Sequence, residues 1–130
     1  MRVLQPEGWP RPRGYSNGIE AEGRMVFVAG QIGWDADEKF RSSDFGNQFR
    51  QVLLNTLAVL KEADAGPEHI VRMTWFVTSR DEYMGSLAKL GVAWKELMGR
   101  NYPTMAVIIV SGLVEKEAKI EIETTAVVPR

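Results

Sequence analysis

Three segments of this chain are apolar at nearly every position, and this pattern constrains the fold more than any other feature. They are residues 25–29 (Met-Val-Phe-Val-Ala), 73–77 (Met-Thr-Trp-Phe-Val) and 105–110 (Met-Ala-Val-Ile-Ile-Val). Successive residues of a strand point to opposite faces of a sheet, so strands without polar alternation need cover on both faces. We therefore expect a sheet that is buried on both sides.

The first long segment between these strands has the spacing of an amphipathic helix. The helix is predicted from about Asp44 to Ala65, where Gly66-Pro67 would end it. Asp44 or one of the two serines before it can cap the start. Apolar residues recur every three or four positions and predict one buried face: Phe45, Phe49, Val52, Leu53, Leu57 and Leu60.

A second helix is predicted to begin after Ser79 or Asp81. Its inner face would consist of Tyr83, Leu87, Leu90, Trp94 and Leu97. Gly85 and Gly91 lower the helix propensity of this segment, so we expect the helix to pack closely on another element there.

The predicted elements follow the order ββαβαββ in a single domain, residues 1–130, preceded by an irregular arm with at most a short strand near Arg2–Leu4. Strands are expected at residues 16–21, 24–31, 70–78, 104–110 and 118–127. This order favours an α+β fold with one mixed sheet and both helices on one face. Two helices cover only one face, so other copies of the chain are the simplest cover for the second face; the alternative is an unusually apolar monomer surface.

Composition excludes several classes of function. The 16 basic and 17 acidic residues are scattered, so no basic stripe predicts nucleic acid as a partner. The chain has no cysteine and a single histidine, His69, which argues against a zinc site and a Ser-His-Asp triad. No metal or other cofactor is expected. No apolar run approaches the ~20 residues of a membrane span, so no membrane contact is expected and a cytoplasmic location is predicted.

The last predicted strand alternates apolar and charged residues. Ile120 and Ile122 would point towards the helices, whereas Glu121 and Glu123 would point to the face that other copies are expected to cover. A carboxylate on that face is either solvated at its rim or held in a cleft between copies. The pattern alone favours the solvated arrangement, because most glutamates are exposed.

Three stretches, in this order and at these separations, resemble the RidA/YjgF family of small trimeric proteins. They are residues 25–32 (Met-Val-Phe-Val-Ala-Gly-Gln-Ile), 101–107 (Asn-Tyr-Pro-Thr-Met-Ala-Val) and 119–123 (Lys-Ile-Glu-Ile-Glu). The resemblance implies a chorismate mutase-like fold that closes into a trimeric barrel, with ligand sites in the clefts between subunits. It also implies hydrolysis of a reactive enamine or imine with release of ammonia.

The same resemblance assigns candidate site residues. Glu121 matches the family's site glutamate, which positions water and moves protons during hydrolysis. Tyr15 matches the tyrosine of a Gly-Pro-Tyr-Ser motif, in which Gly14 replaces the proline and Arg13 stands in the place of the glycine. Gly30 matches a glycine whose backbone lines the family's site. The structural alternatives are that Tyr15 anchors the arm by packing and that Gly30 serves a turn.

Met105 occupies the position at which founding members of the family carry an arginine that binds the substrate carboxylate. Methionine is apolar and uncharged, so the substrate is expected to differ. Arg13 is a candidate replacement for that clamp, and Trp34 is a candidate wall of the cleft. The alternative function is a non-catalytic binder of small metabolites that uses the same clefts. The ribonuclease activity often ascribed to the family is disfavoured by the missing basic surface and histidine pair.

Overall fold

A computed structural model of the chain covers residues 1–130 and contains six strands and three α-helices. The strands are β1 (Arg2–Leu4), β2 (Gly18–Glu20), β3 (Arg24–Ile32), β4 (Ile70–Val77), β5 (Thr104–Ile109) and β6 (Ile120–Val128). The helices are α1 (Phe45–Lys61), α2 (Arg80–Gly85) and α3 (Leu87–Met98), and a 3-10 turn, Pro67–His69, precedes β4.

The main sheet has the strand order β3-β6-β4-β5 and is mixed. β6 is antiparallel to both of its neighbours, whereas β4 and β5 are parallel, as the long connection through α2 and α3 requires. The two main helices, α1 and α3, pack on one face. The predicted α+β fold is confirmed. None of the helices is both long and apolar enough to cross a membrane.

The strand predicted at residues 16–21 is present as β2, but it does not join the main sheet. It pairs antiparallel with β1 in a separate two-stranded sheet, where Arg2 and Glu20 form an ion pair at 2.6 Å. Gly23, with a φ of +149°, separates β2 from β3, and a side chain there would collide with the carbonyl of Val128 at the end of β6.

α1 supplies most of the core that faces the sheet. Its start is capped as predicted, because the Asp44 carboxylate accepts a hydrogen bond from the Asn47 N–H at 2.9 Å. The helix ends at Lys61 rather than Ala65, since the chain leaves the helical conformation at Asp64, where φ is +54°. The side chains buried against the sheet are those of Phe45, Phe49, Val52, Leu53 and Leu60.

The second predicted helix is divided in two. The Ser79 hydroxyl caps α2 by accepting from the Glu82 N–H at 3.1 Å, and the helix breaks at Ser86, where φ is −107° and ψ is 3°. The expected close packing at Gly85 and Gly91 is wrong. A Cβ at either position meets no atom within 4 Å, because the buried face of α3 is formed by other residues, Leu90, Ala93, Trp94 and Met98.

The face of the sheet opposite the helices is uncovered in the single chain. We call it the open face. Met25 is 59% exposed there, Phe27 71% and Ile108 42%. The neighbouring strand positions that point to the helices, such as Met73 and Val77, are fully buried. The alternation therefore separates an enclosed core from an open face on which β3 and β5 carry exposed apolar side chains.

Candidate functional site

A β-bulge in β3 places Gly30 against Glu121. The pairing of β3 with β6 shifts by one residue between Val28 and Gln31, and Glu121 pairs with Ile32 beyond that shift. A methyl group at Gly30 would lie 2.3 Å from Oε2 of Glu121. The carboxylate thus occupies space that only a glycine leaves free. We call these two residues the Gly30–Glu121 pair.

Glu121 lies on the open face, as the alternation predicts. Ile120 and Ile122 on either side of it are fully buried in the core. In the neighbouring strand β4, Glu121 is opposite Phe76. None of the chain's ion pairs or side-chain hydrogen bonds engages its carboxylate, so the group is free to act on a ligand or a water molecule.

Two amide side chains of α1 fix the strand ends on either side of the Gly30–Glu121 pair. The buried Gln48 accepts from the Lys119 N–H at 2.8 Å and donates to the Glu117 carbonyl at 2.9 Å. Asn55 donates to the carbonyls of Ile32, at 3.1 Å, and Trp34, at 2.7 Å. These ties hold the start of β6 and the end of β3 relative to one helix.

These two positioning residues were not predicted from the sequence. The available signal was a polar residue inside the predicted apolar face, since Gln48 lies three residues after Phe45 and four before Val52. A buried amide must find hydrogen-bond partners, so such a residue indicates a tie between elements.

The second group of predicted site residues lines a cavity of about 800 Å³ between α3 and the edge strand β5. We call it the α3–β5 cavity. Met105 lines it and is in register with the buried Met73, so it points to the helix face of the sheet and away from the face that carries Glu121. Arg13 and Tyr15 reach the cavity from the N-terminal arm.

Hydrogen bonds to the segment before β5 hold the arm at this cavity. The Ser16 hydroxyl donates to the Tyr102 carbonyl, and the Ser16 N–H donates to the Pro103 carbonyl at 3.1 Å. Tyr15 is thereby placed next to the chain that leads into Met105, with its own ring partly exposed. This position is compatible with a role in ligand binding and with a role in anchoring the arm.

Aromatic rings form the inner walls of the cavity. Trp75 packs against Phe49, with ring centroids 5.0 Å apart, and against Trp94 at 6.1 Å. Trp94 in turn stacks on Tyr102, with 6.3 Å between centroids and 8° between the ring planes. The indole nitrogens of Trp75 and Trp94 have no hydrogen-bond partner in the chain. The walls therefore offer large apolar surfaces to a ligand, whereas the two indole N–H groups are enclosed in the protein.

Trp34 joins neither group. It lies beside Phe40, with ring centroids 5.9 Å apart, in a separate surface depression that Val114 also lines. The loop that carries it is organised by Asp35, whose carboxylate accepts from Arg41 at 2.6 Å, and this hydrogen bond lowers the pKa of Asp35.

Within one chain, then, the predicted site residues other than Trp34 fall into two separate groups on opposite faces of the sheet. The Gly30–Glu121 pair lies on the open face. The α3–β5 cavity, on the helix face, gathers Arg13, Tyr15 and Met105.

Comparisons with known proteins agree with the fold. Residues 10–128 match the sequence profile of the family described as Endoribonuclease L-PSP. A RutC family protein of Pyrococcus horikoshii is 32% identical over 126 residues, which are 95% of each chain. An Escherichia coli protein named "Putative reactive intermediate deaminase TdcF" is 30% identical over 130 residues, covering 97% of this chain and 96% of its own.

Solved structures give the same result. A Yersinia pestis protein of the Rid family superposes with a TM-score of 0.85 at 32% identity and covers 98% of both chains. The structure of E. coli TdcF with bound serine gives a TM-score of 0.69 at 26% identity, over 98% of this chain and 99% of that one. This chain therefore belongs to the RidA/YjgF family.

Proposed function

We propose that this protein is a hydrolase that deaminates an enamine or imine, with Glu121 as the residue that activates water. The observation that carries the proposal is the Gly30–Glu121 pair: a carboxylate without an ion-pair partner, held against a glycine on the face of the sheet opposite the helices. The name of the E. coli relative, a reactive intermediate deaminase, supports the same class of reaction.

The reaction requires one proton acceptor and one water molecule. The Glu121 carboxylate takes a proton from water as the oxygen adds to the imine carbon, which forms a carbinolamine. The carboxyl group returns that proton to the nitrogen. It then carries the hydroxyl proton of the carbinolamine to the same nitrogen, so that the carbon–nitrogen bond breaks, the carbonyl forms and ammonia leaves. An enamine enters this sequence after protonation at carbon converts it to the imine.

A homotrimer would unite the two groups of site residues. Each chain presents the Gly30–Glu121 pair on one face of the sheet and the α3–β5 cavity on the other, next to the edge strand β5. The exposed side chains of the open face, Met25, Phe27 and Ile108, need cover that another copy would supply. We infer that Glu121 of one subunit faces the cavity of its neighbour.

Met105 is the reason to expect an unusual substrate. It lines the cavity with its apolar side chain, and it cannot bind a carboxylate as an arginine at this position would. A short imino acid therefore loses a charge-assisted hydrogen bond worth about 1.5–3 kcal/mol. The substrate is expected to derive more of its binding from apolar contact.

The alternative function is a metabolite-binding protein without catalysis, and the missing arginine is the observation that favours it. The two functions differ in one observable, which is whether ammonia is released from a bound imine.

The test compares Glu121→Gln with the matched control Glu123→Gln. Both glutamates lie on the open face of β6, but only Glu121 contacts Gly30. Imines generated in solution by oxidation of amino acids serve as the substrate panel, and ammonia release is measured. Glu121→Gln is expected to lower turnover by about 10²–10⁴-fold, while Glu123→Gln retains the wild-type rate. Wild-type turnover by Glu121→Gln would leave the protein as a binder or require another base.

A further inference from the structure

The α3–β5 cavity has an opening that packing does not explain. Leu87, Gly91 and Lys95 line it at four-residue intervals along α3, so they form one stripe on that helix. Gly91 lies in the helix interior, where glycine costs about 1 kcal/mol relative to alanine. A Cβ at Gly91 would meet no atom within 4 Å, so no neighbouring element requires the glycine. Its one local effect is that the stripe has no side chain between Leu87 and Lys95.

The interior of the cavity suits a flat ring. Trp94 and Tyr102 stack almost in parallel, and Trp75 crosses behind them. Trp75 is 5% exposed and Trp94 8%, yet neither indole N–H has a hydrogen-bond partner. Both N–H groups are enclosed in the protein, so the surface that these rings offer to a ligand is apolar.

The charge around the cavity is entirely positive. Arg13, Lys95 and Arg100 line it, no aspartate or glutamate does, and none of the three forms an ion pair in the chain. Arg13 lies in the N-terminal arm, Lys95 in α3 and Arg100 just after α3. None of these cations is at the position of Met105 on β5. An anionic group on a ligand is the complement that this arrangement lacks.

We propose that the α3–β5 cavity binds a carboxylate that carries an aromatic ring, with the ring among Trp75, Trp94 and Tyr102 and the carboxylate on the cations of the rim. If the proposed function holds, on which this step rests, the substrate is a 2-imino acid with an aromatic side chain. Water adds to its C=N carbon, the C–N bond breaks, and the products are the aromatic 2-oxo acid and ammonia.

Binding of product-like acids tests this proposal without any turnover. The ligands are 3-phenyl-2-oxopropanoate, the short acid 2-oxobutanoate, and 1-phenylpropan-2-one, which keeps the ring and carbonyl but lacks the carboxylate. Calorimetry and tryptophan fluorescence of the full chain are expected to show the phenyl acid binding at least about tenfold more tightly than the other two. Arg100→Gln is expected to weaken the phenyl acid by about tenfold and leave the neutral ketone unchanged.

Gly91→Leu is the blocking variant and Gly85→Leu is its control. Both glycines are helical and both have open space around them, but only Gly91 lines the cavity. Gly91→Leu is expected to lose the phenyl acid, with thermal unfolding confirming that it folds, while Gly85→Leu binds as wild type. Equal affinity for all three ligands, or undiminished binding by Gly91→Leu, would overturn the proposal.

The same binding assay separates this inference from the proposed function. Glu123→Gln is expected to bind the phenyl acid with wild-type affinity, since Glu123 neither lines the cavity nor contacts Gly30. Binding of the phenyl acid without ammonia release from any imine would contradict the proposed hydrolase function and support the ligand site in the α3–β5 cavity. Turnover of imines without binding of the phenyl acid would contradict the ligand site in the α3–β5 cavity and support the proposed hydrolase function.

Discussion

At the residue scale, the contact between Gly30 and Glu121 sets the position of the proposed base. A methyl group at Gly30 would lie 2.3 Å from the carboxylate oxygen, which is closer than any real contact, so the glutamate side chain must swing aside. Because both groups are near the surface, we expect Gly30→Ala to fold normally.

Turnover by Gly30→Ala is expected to fall by about a hundredfold, the effect of displacing a reacting group by about 1 Å. Gly112→Ala is the control, since a methyl there meets nothing within 4 Å. The assay is ammonia release from the best imine of the panel. Equal rates in both variants would show that the position of Glu121 does not limit the reaction.

Met105 leads to a prediction about substrate choice. The wild-type protein is expected to hydrolyse 2-iminobutyrate poorly, because its cavity offers no cation on β5. Met105→Arg is expected to raise this rate by roughly 10–100-fold, the equivalent of one charge-assisted hydrogen bond. Met105→Leu keeps the apolar volume and serves as the control. A high wild-type rate would indicate that Arg13 or another rim cation already binds the carboxylate of a short substrate.

The site could be predicted only in part from the sequence. The side of β6 on which Glu121 lies could be predicted, because side chains alternate between the two faces with a period of two residues. Glu121 therefore lies on the other face of the sheet from Ile120 and Ile122. The association of Met105 with Trp94 and Arg100 depends on where α3 crosses the edge strand, and no local pattern encodes that crossing.

At the scale of elements, the start of α1 is tied to α3 through one carboxylate. Asp44 accepts from the Asn47 N–H and also from Lys89 Nζ at 2.7 Å. The hydrogen bond from Lys89, and then that from Asn47, hold the pKa of Asp44 below its usual range. A lowered pKa in the folded state stabilises the protein above the unfolded pKa of about 3.9, and this contribution is lost as pH falls through the folded value.

Asp44→Ala is therefore expected to lower the free energy of unfolding by about 1 kcal/mol at neutral pH, mainly through the lost helix cap. The exposed ion pair adds little to this. The difference from wild type should shrink as pH falls below about 4 and through the lowered pKa of Asp44. Urea unfolding at one fixed protein concentration measures it, with Asp37→Ala as the control. A difference that stays constant down to pH 2 would show that the carboxylate charge contributes nothing.

The elements that the sequence predicts well are those with strong local signals. The apolar runs mark β3, β4 and β5, and the three- and four-residue spacing marks α1. The break at Ser86 was not predicted, because the apolar period runs through it without interruption. The pairing of β2 with β1, rather than with the main sheet, depends on long-range contacts of the arm and has no local signature.

At the scale of the whole molecule, the open face is the part of the sheet that the single chain leaves uncovered. Phe27 and Met25 are mostly exposed in the isolated chain, on strands whose other side is closed by the helices. A homotrimer is our proposal for their cover. Sedimentation equilibrium is expected to give about three times the chain mass of 14.6 kDa at micromolar concentration. A mass of one chain would remove the basis for any site between subunits.

The most direct test of a site shared between subunits is complementation between two inactive variants. One variant carries Glu121→Gln and the other Gly91→Leu, and the two are mixed in equal amounts, unfolded and refolded together. If Glu121 of one subunit serves the cavity of the next, each mixed trimer has one intact site. Since about three-quarters of the trimers are mixed, the preparation should recover about a quarter of the wild-type rate of ammonia release. If both groups acted within one chain, every site would carry a defect. A mixture that forms mixed trimers by mass but remains as inactive as its components would contradict the account.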